Sequence, residues 1–405
     1  MTTKIGYDNL NSICLIVFLL MSTVVWAATT NSSYEVLSAV RVITGVMLSA
    51  CLVFLFAYKK NAAKNKSTFI AVFAIAFFYT YGFFVSSINL GAPDIGFEAV
   101  IGIFLAVVFL YLIGEHKGTY FPTSFGLIFV VSALLILIMT YIMGGLVVDG
   151  VPKFVFSRKL NEAGIDVNYS QSVSKFYGLA AIISMYMCFF LKPITKIQSG
   201  SLLFLSVVFL SLSALGGGRG DFLAAFIVLG FVCYLRNKFY LIISAGVVIL
   251  ILAGTNWEVV SSDYSIVRRL QFLQSSLGMR DVLALNVYEI LSERPNCLLF
   301  GCGFGYFQDY FNYPPSLYPH NIFLEMFVVV GLPFTFLLVF LAWRGLLKYK
   351  EQSIGENVMV PVILFFFIIS IKSGSVFSSW FTMGGLFYLV GMAFKENNRI
   401  GKTDV

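Results

Sequence analysis

Long apolar runs separated by shorter polar segments dominate the pattern along this chain. A run of about 17–25 apolar residues is long enough for a helix to cross a bilayer, and about twelve runs approach or reach that length. The runs are continuous, without the period-two alternation of barrel strands, so the pattern predicts transmembrane helices. We therefore expect an all-α integral membrane protein that forms one polytopic domain over residues 1–405. The predicted helices cover residues 10–28, 36–58, 68–90, 97–113, 123–145, 175–191, 201–216, 221–236, 239–255, 320–343, 358–372 and 379–394.

The basic residues predict how these helices are oriented. Lys and Arg are concentrated in alternate loops, and loops of that kind face the cytoplasm. The pattern places both termini on the cytoplasmic side and two longer polar segments, about 146–174 and 256–319, on the outward side. The residues that define the cytoplasmic side are Lys59, Lys60, Lys64, Lys66, Lys117, Lys192, Lys196, Arg236, Lys238, Arg344, Lys348 and Lys350, with Lys4, Lys395, Arg399 and Lys402.

Composition supports the membrane assignment and narrows the chemistry. Hydrophobic residues make up 59% of the chain and charged residues 12%, whereas soluble domains carry roughly 25% charged residues. The six cysteines show no metal-binding spacing, and we expect no metal and no cofactor. Cys297 and Cys302 share the second outward segment and could pair if that segment faces an oxidising space. The sequence leaves this pairing open.

The second outward segment contains a predicted amphipathic helix at residues 280–293. Leu283, Val287, Ile290 and Leu291 recur at helical spacing, which is typical of a helix that lies on a membrane surface. Pro295 is expected to end this helix, and the glycine-rich run at 300–305 to make a turn. Aromatic residues follow that could stack on sugars or form an interfacial belt. They are Tyr306, Phe307, Tyr310, Phe311, Tyr313 and Tyr318.

Four cations occupy positions where outward helix ends are expected. Arg219 lies in a glycine-rich turn before a helix, where backbone N–H groups and a guanidinium can together bind an anion. Arg280 begins the amphipathic helix, and a cation at a helix N-terminus favours a nearby anion. Arg41 and Lys372 are weaker candidates for the same role. Each of these side chains could instead extend toward lipid headgroups.

His320 is the candidate for proton transfer. Pro319 permits a helix to start, so His320 is expected in its first turn at the outward surface. Histidine suits general-base catalysis near neutral pH, although a histidine here could simply contact headgroups. Asn321 and Glu325 are expected to share one helix face, and a buried carboxylate at Glu325 needs partners. We assign His320 and Glu325 as the candidate catalytic residues, with Glu325 and Asn321 orienting the imidazole or supporting the local backbone.

Three motifs in this order resemble a known family. They are Gly-Gly-Arg219-Gly in an outward turn, Arg280 followed by Pro295 to Gly303 as Pro-x(5)-Gly-x-Gly, and His320 to Gly331 as His-Asn-x-x-Leu-Glu-x(5)-Gly. Together with the topology they resemble the O-antigen polymerase and O-antigen ligase superfamily of bacterial inner membranes. This sequence departs from the family pattern at two places. The first turn lacks the serine that is common there, and the aromatic residue often seen shortly after the second arginine, here Arg280, is absent.

The resemblance implies a metal-independent glycosyltransferase that acts at the periplasmic face. Its donor would be a glycan carried on undecaprenyl diphosphate, and it would be surrounded by membrane lipid. A chain-length regulator protein would be a further partner, and nucleic acid would have no role. Arg219 and Arg280, and more weakly Lys372 and Arg41, would bind the diphosphate. A polymerase is favoured, and a ligase that transfers the glycan to lipid A–core is the alternative. A transporter or flippase is a third class of function. Such proteins use charges near the bilayer midplane, whereas nearly all charges of this chain lie at predicted helix ends or in loops.

The predicted topology can be tested at Asn312, within the outward segment 256–319. A cysteine introduced there should react with an impermeant thiol reagent from the outward side of the inner membrane, because the basic loops lie on the other side. Labelling that requires access from the cytoplasm would contradict both the topology and the assigned chemistry.

Overall fold

The computed structural model describes residues 66–90, 97–115, 123–142, 147–148, 151–152, 171–190, 195–215, 219–236, 279–314, 317–353, 358–377 and 379–395. These residues are almost entirely helical, with one antiparallel pair of two-residue strands. The elements, in chain order, are α1 Lys66–Leu90, α2 Phe97–Glu115, α3 Thr123–Ile142, β1 Val147–Val148, β2 Val151–Pro152, α4 Gln171–Phe190, α5 Lys196–Leu215, α6 Arg219–Arg236, α7 Met279–Glu293, α8 Pro295–Phe300, α9 Tyr306–Tyr310, α10 Ile322–Val330, α11 Leu332–Ser353, α12 Met359–Ser373 and α13 Trp380–Ala393.

The membrane assignment is supported in its coarser form. By length and apolar composition, α1, the Val173–Phe190 part of α4, and α5 could each cross a membrane. Shorter apolar helices occur at Gly126–Ile142, Met359–Ser373 and Trp380–Ala393. Twelve spans stay a prediction, and the helices expected at 10–28, 36–58 and 239–255 lie outside the described residues.

The chain divides into two compact units. The first comprises residues 1–48, 118–276 and 355–369, and the second comprises residues 49–117, 277–354 and 370–405. The division falls inside α12, so this helix contributes its beginning to one unit and its end to the other. The expectation of one polytopic domain stays a prediction.

In the first unit, α4 is the central helix and packs against α3, α5 and α6. Polar side chains link these apolar helices through backbone carbonyls. Ser206 Oγ donates to Ala181 O at 2.9 Å, and Ser213 Oγ donates to Ser174 O at 2.8 Å. Small hydroxyl residues are common at helix contacts in membranes because they let backbones approach and satisfy their own hydrogen bonds.

In the second unit, α13 is buried along its whole length against α1, α2 and α11. Glycines make this packing possible, because a Cβ at Gly391 would clash with Ser67 O and one at Gly345 would clash with Leu389 O. Lys348 of α11 then donates to Ala393 O at 2.7 Å. A lysine at this position satisfies a free carbonyl and complements the negative end of the helix dipole.

The amphipathic helix predicted at 280–293 is confirmed as α7, but its expected orientation is wrong. Leu283, Val287 and Ile290 are buried within the protein, in a cluster with Phe307 and Val328. They therefore pack on α8–α10 and not on lipid. The periodicity indicated an apolar face correctly, but periodicity alone does not say whether protein or membrane covers that face.

The single helix predicted at 320–343 is also wrong, because it is interrupted at Gly331. This glycine has φ 82°, outside the helical region, and separates α10 from α11. The turn at residues 301–303 covers the end of α10: Gly303 N donates to Val329 O at 3.1 Å, and Cys302 N donates to Val328 O at 2.6 Å. The turn thus supplies donors to carbonyls that a helix end leaves without partners.

Gly303 and Gly305 form a matched pair for testing this turn. Both have positive φ, 87° and 79°, so alanine at either position adopts a conformation that costs L residues about 1–2 kcal/mol. A Cβ at Gly303 would also overlap backbone atoms of Ser86, whereas one at Gly305 would meet only Leu90 Cδ1 at 3.7 Å. We expect Gly303→Ala to lower the thermal unfolding midpoint of the purified protein more than Gly305→Ala. Equal shifts would contradict the packing of this turn on α1.

Candidate functional site

His320 lies in the turn that leads into α10. The prediction that it occupies the first helical turn is wrong, because α10 begins at Ile322. Its φ of 54° is left-handed, which is uncommon for a residue with a side chain and marks a backbone held by its surroundings. The half-buried imidazole packs against Tyr318, with ring centroids 4.2 Å apart. The turn therefore presents His320 from a fixed backbone position.

Asn321 caps α10 and explains why the helix starts after His320. Its side-chain oxygen accepts from Phe323 N at 2.9 Å and from Leu324 N at 3.3 Å. An asparagine N-cap satisfies donors that no carbonyl of the helix can reach. Asn321 thus supports the local backbone, one of the two roles considered for it from the sequence.

Arg280 and His320 lie within electrostatic reach of each other. Burial lowers the pKa of His320 from its ordinary value, and the positive charge of Arg280 lowers the pKa further. Arg280 is exposed near the start of α7, and α7 packs against α10. The fold therefore brings together the cation of the second motif and the histidine of the third.

Glu325, in the first turn of α10, is 8% exposed. Its carboxylate accepts from Ser375 Oγ at 3.2 Å and from Val376 N at 2.9 Å. The carbonyl of Val376 in turn accepts from Tyr79 OH at 3.0 Å. Glu325 therefore links α10 to the turn that follows α12, and through that turn to α1. These contacts describe a positioning residue.

The other predicted cations are distributed differently. Lys372 is half-buried in the last turn of α12, three residues before Ser375, so the turn held by Glu325 follows it directly. Arg219 begins α6, in the first unit, and its side chain and the turn at 216–218 lie outside the described part of the chain. Arg41 also lies outside it. The second unit thus contains Arg280, His320, Glu325 and Lys372.

Cys297 and Cys302, whose pairing the sequence left open, form a disulfide with Cα atoms 4.9 Å apart. Both cysteines belong to the buried cluster that includes Leu283, Phe307 and Val328. The disulfide therefore joins α8 to the turn that covers the end of α10.

The aromatic residues that follow the glycine turn pack mainly on protein. Phe307 is 3% exposed, and Tyr306, Tyr310, Phe311 and Tyr313 are partly buried around the same cluster. Two tyrosine hydroxyls are also engaged: Asn286 Nδ2 donates to Tyr313 OH at 2.8 Å, and Tyr310 OH donates to Glu293. The bond to Glu293 raises the pKa of Tyr310. These contacts hold α9 and the chain after it against α7.

Sequence reasoning missed Tyr79, Ser375 and Val376. They lie far from His320 along the chain. Val376 contacts Glu325 through its backbone N–H and Tyr79 through its backbone carbonyl. No spacing or residue type marks such a contact. The cost of a buried carboxylate at Glu325 indicated that partners must exist, but not which ones.

Within the described ranges, no group of three or more His, Cys, Asp or Glu side chains could hold a metal ion. No protein-family model matches the chain, and no curated protein matches it.

The positioning role of Glu325 predicts a graded effect on stability. Glu325→Ala removes the acceptor for both Ser375 and Val376, and each buried donor left without a partner costs about 1–3 kcal/mol. Ser375→Ala removes one of the two bonds and keeps the other. We expect the unfolding midpoint of the purified protein to fall most for Glu325→Ala, and less for Glu325→Gln and Ser375→Ala. A Glu325→Ala protein with unchanged stability would contradict this role.

Proposed function

We propose that this protein is a polymerase of a bacterial surface polysaccharide of the O-antigen type. It joins repeat units carried on undecaprenyl diphosphate at the periplasmic face of the inner membrane. The observation that carries the proposal is the packing of α7 on α10, which brings the charge of Arg280 within electrostatic reach of the half-buried imidazole of His320. Glycosyl transfer from a diphosphate carrier without a metal needs these two groups, a base for the acceptor and a cation for the leaving group.

In the proposed reaction, a sugar hydroxyl of the next lipid-linked repeat unit attacks the anomeric carbon of the growing chain. The new C–O bond forms as the bond from that carbon to the carrier diphosphate breaks. The diphosphate leaves with the bonding electrons and remains attached to undecaprenol. His320 takes the proton of the hydroxyl, and Arg280 stabilises the charge that develops on the leaving diphosphate.

The pKa of His320 fits the role of base. A general base must be unprotonated before it can accept a proton, and burial and Arg280 both favour the neutral imidazole. Arg280 thus has two effects in the proposal, since it attracts the diphosphate and keeps His320 neutral. Lys372, in the same unit, is a further candidate for the diphosphate, while Arg219 and Arg41 stay predictions from the sequence.

The periplasmic location is supported by the disulfide between Cys297 and Cys302, because disulfides persist in oxidising compartments and are rare in the bacterial cytosol. The membrane location is supported by α1, α4 and α5, which are long and apolar enough to cross a bilayer. Because α10 packs against α1, a site at the start of α10 can reach a substrate whose lipid tail stays in the membrane.

The experiment uses purified protein in lipid nanodiscs with lipid-linked repeat units as the only substrate. A polymerase should produce a ladder of longer chains on the carrier lipid. A ligase should give product only when lipid A–core is added, and a flippase should change no covalent bond. The absence of a ladder with folded protein would overturn the proposal.

His320→Ala should reduce polymer formation by about 10²–10⁴-fold, the typical contribution of a general base. His320→Gln should do no better, because an amide forms hydrogen bonds but does not accept the proton. Arg294→Ala offers a control, since Arg294 is also an exposed arginine of this segment. A His320→Ala protein that makes polymer of normal length and amount would remove the histidine from the mechanism.

The acidic limb of the pH–rate profile should report on the Arg280–His320 pair. The limb should lie below the ordinary histidine range of roughly 6–7, because burial and Arg280 lower the pKa of His320. Arg280→Ala removes the nearby positive charge, so it should raise that pKa and move the limb to higher pH. Arg280→Lys should leave the limb near its original position while losing part of the activity, because lysine keeps the charge but lacks the planar fork. An acidic limb that does not move in Arg280→Ala would contradict the coupling.

A further inference from the structure

The glycine turn and the helix before it run beside α1 well inside its length. Tyr81 OH of α1 donates to Phe300 O at 2.8 Å, Ser86 Oγ donates to Phe304 O at 2.7 Å, and Asn89 Nδ2 donates to Cys302 O at 3.2 Å. The ring of Phe304 also packs against Phe78 and Tyr79 of α1. The chain therefore passes along the C-terminal half of this helix.

The length of α1 converts these contacts into depths. Its 25 residues extend about 37 Å, compared with about 30 Å for the hydrocarbon core of a bilayer. Centred in the bilayer, α1 would leave the hydrocarbon about 4 Å before Leu90, between Ser87 and Ile88. Tyr81 precedes Leu90 by nine residues, about 13 Å, and so lies about 10 Å inside the hydrocarbon. The carbonyl of Phe300 lies at the same depth as the Tyr81 hydroxyl.

Among the described residues, several side chains at this depth are apolar and exposed. Leu299 is 52% exposed and Phe300 is 61% exposed. On α1, Phe77, Phe84 and Ile88 are also exposed, and together with Tyr81 they follow helical spacing along one face. Within the described part of the chain, Phe300 therefore lies beside an exposed apolar face of α1.

The polar backbone of this segment has protein partners, as a membrane interior requires. Tyr81, Ser86 and Asn89 supply donors for three carbonyls. Two N–H groups, those of Cys302 and Gly303, donate to the end of α10. Irregular backbone is tolerated at membrane depth only where protein satisfies its hydrogen bonds. A surface turn would leave such groups to water.

From these contacts we propose that residues 295–304 form a re-entrant segment. It enters the hydrocarbon beside α1, reaches its deepest point at Leu299 and Phe300, and returns through the glycine turn. Leu299 and Phe300 contact lipid acyl chains. The inference depends on α1 crossing the membrane and does not depend on the proposed enzymatic activity.

Tryptophan fluorescence in bilayers tests this proposal. Phe300→Trp is introduced into a chain whose four tryptophans are replaced by phenylalanine. The protein is reconstituted with lipids brominated along their acyl chains, which quench only tryptophans that touch the hydrocarbon. We expect a loss of emission comparable to that of Phe84→Trp on α1, and little quenching by acrylamide in the water. Asp309→Trp, at an exposed position of α9, should show the opposite pattern.

Leu299→Trp provides a second reporter if Phe300→Trp does not fold, and it should be quenched in the same way. Acrylamide quenching without bromolipid quenching at both positions would overturn the re-entrant segment. Absence of bromolipid quenching at Phe84→Trp would overturn it too, because α1 would then not cross the hydrocarbon as the inference requires.

Discussion

The end of α10 depends on hydrogen bonds that its own helix cannot supply. Gly331 interrupts the helical ladder, and the carbonyls of Val328 and Val329 accept from the turn at residues 301–303 instead. That turn needs glycine at 301 and 303, because both have positive φ and a Cβ would clash with α10 or α1 backbone. The start of α10 is fixed separately by Asn321 and Glu325. His320 precedes this fixed helix start directly, and Glu325 is part of it.

The glycines of the second and third motifs therefore have a structural explanation. Gly301 and Gly331 approach each other backbone to backbone, since a Cβ on either would meet the N atom of the other within 3 Å. One backbone contact therefore joins the second motif, through Gly301, to the histidine motif, through Gly331. Arg280 and His320 are brought together by the same packing of α7 and α10 around the disulfide and its cluster. Sequence order alone does not reveal this link.

Sequence predicted the existence of most described helices but not their surroundings. Apolar runs located α1, α2 and α13 within a few residues, because run length and membrane span are directly related. The apolar face of α7 was identified correctly, but what it packs against was not. The spacing of Leu283 and Val287 is the same whether the face contacts lipid or protein. Gly331 was noticed as a motif residue, yet only its φ and its contact with Gly301 show that it divides a helix. Glu325 was expected to need partners, and those partners were unpredictable because one is a backbone N–H distant in sequence.

The burial of α13 has a consequence for how the second unit assembles during synthesis. Its sides are enclosed by α1, α2 and α11, yet the ribosome makes it after all three. Gly391 against Ser67 and Gly345 against Leu389 are contacts that do not exist until α13 has entered. Before that moment, the surfaces of α1 and α11 that pack on α13 lack this partner. The earlier helices of this unit must therefore stay open enough to admit α13, and the packing described for them is complete only once α13 has arrived.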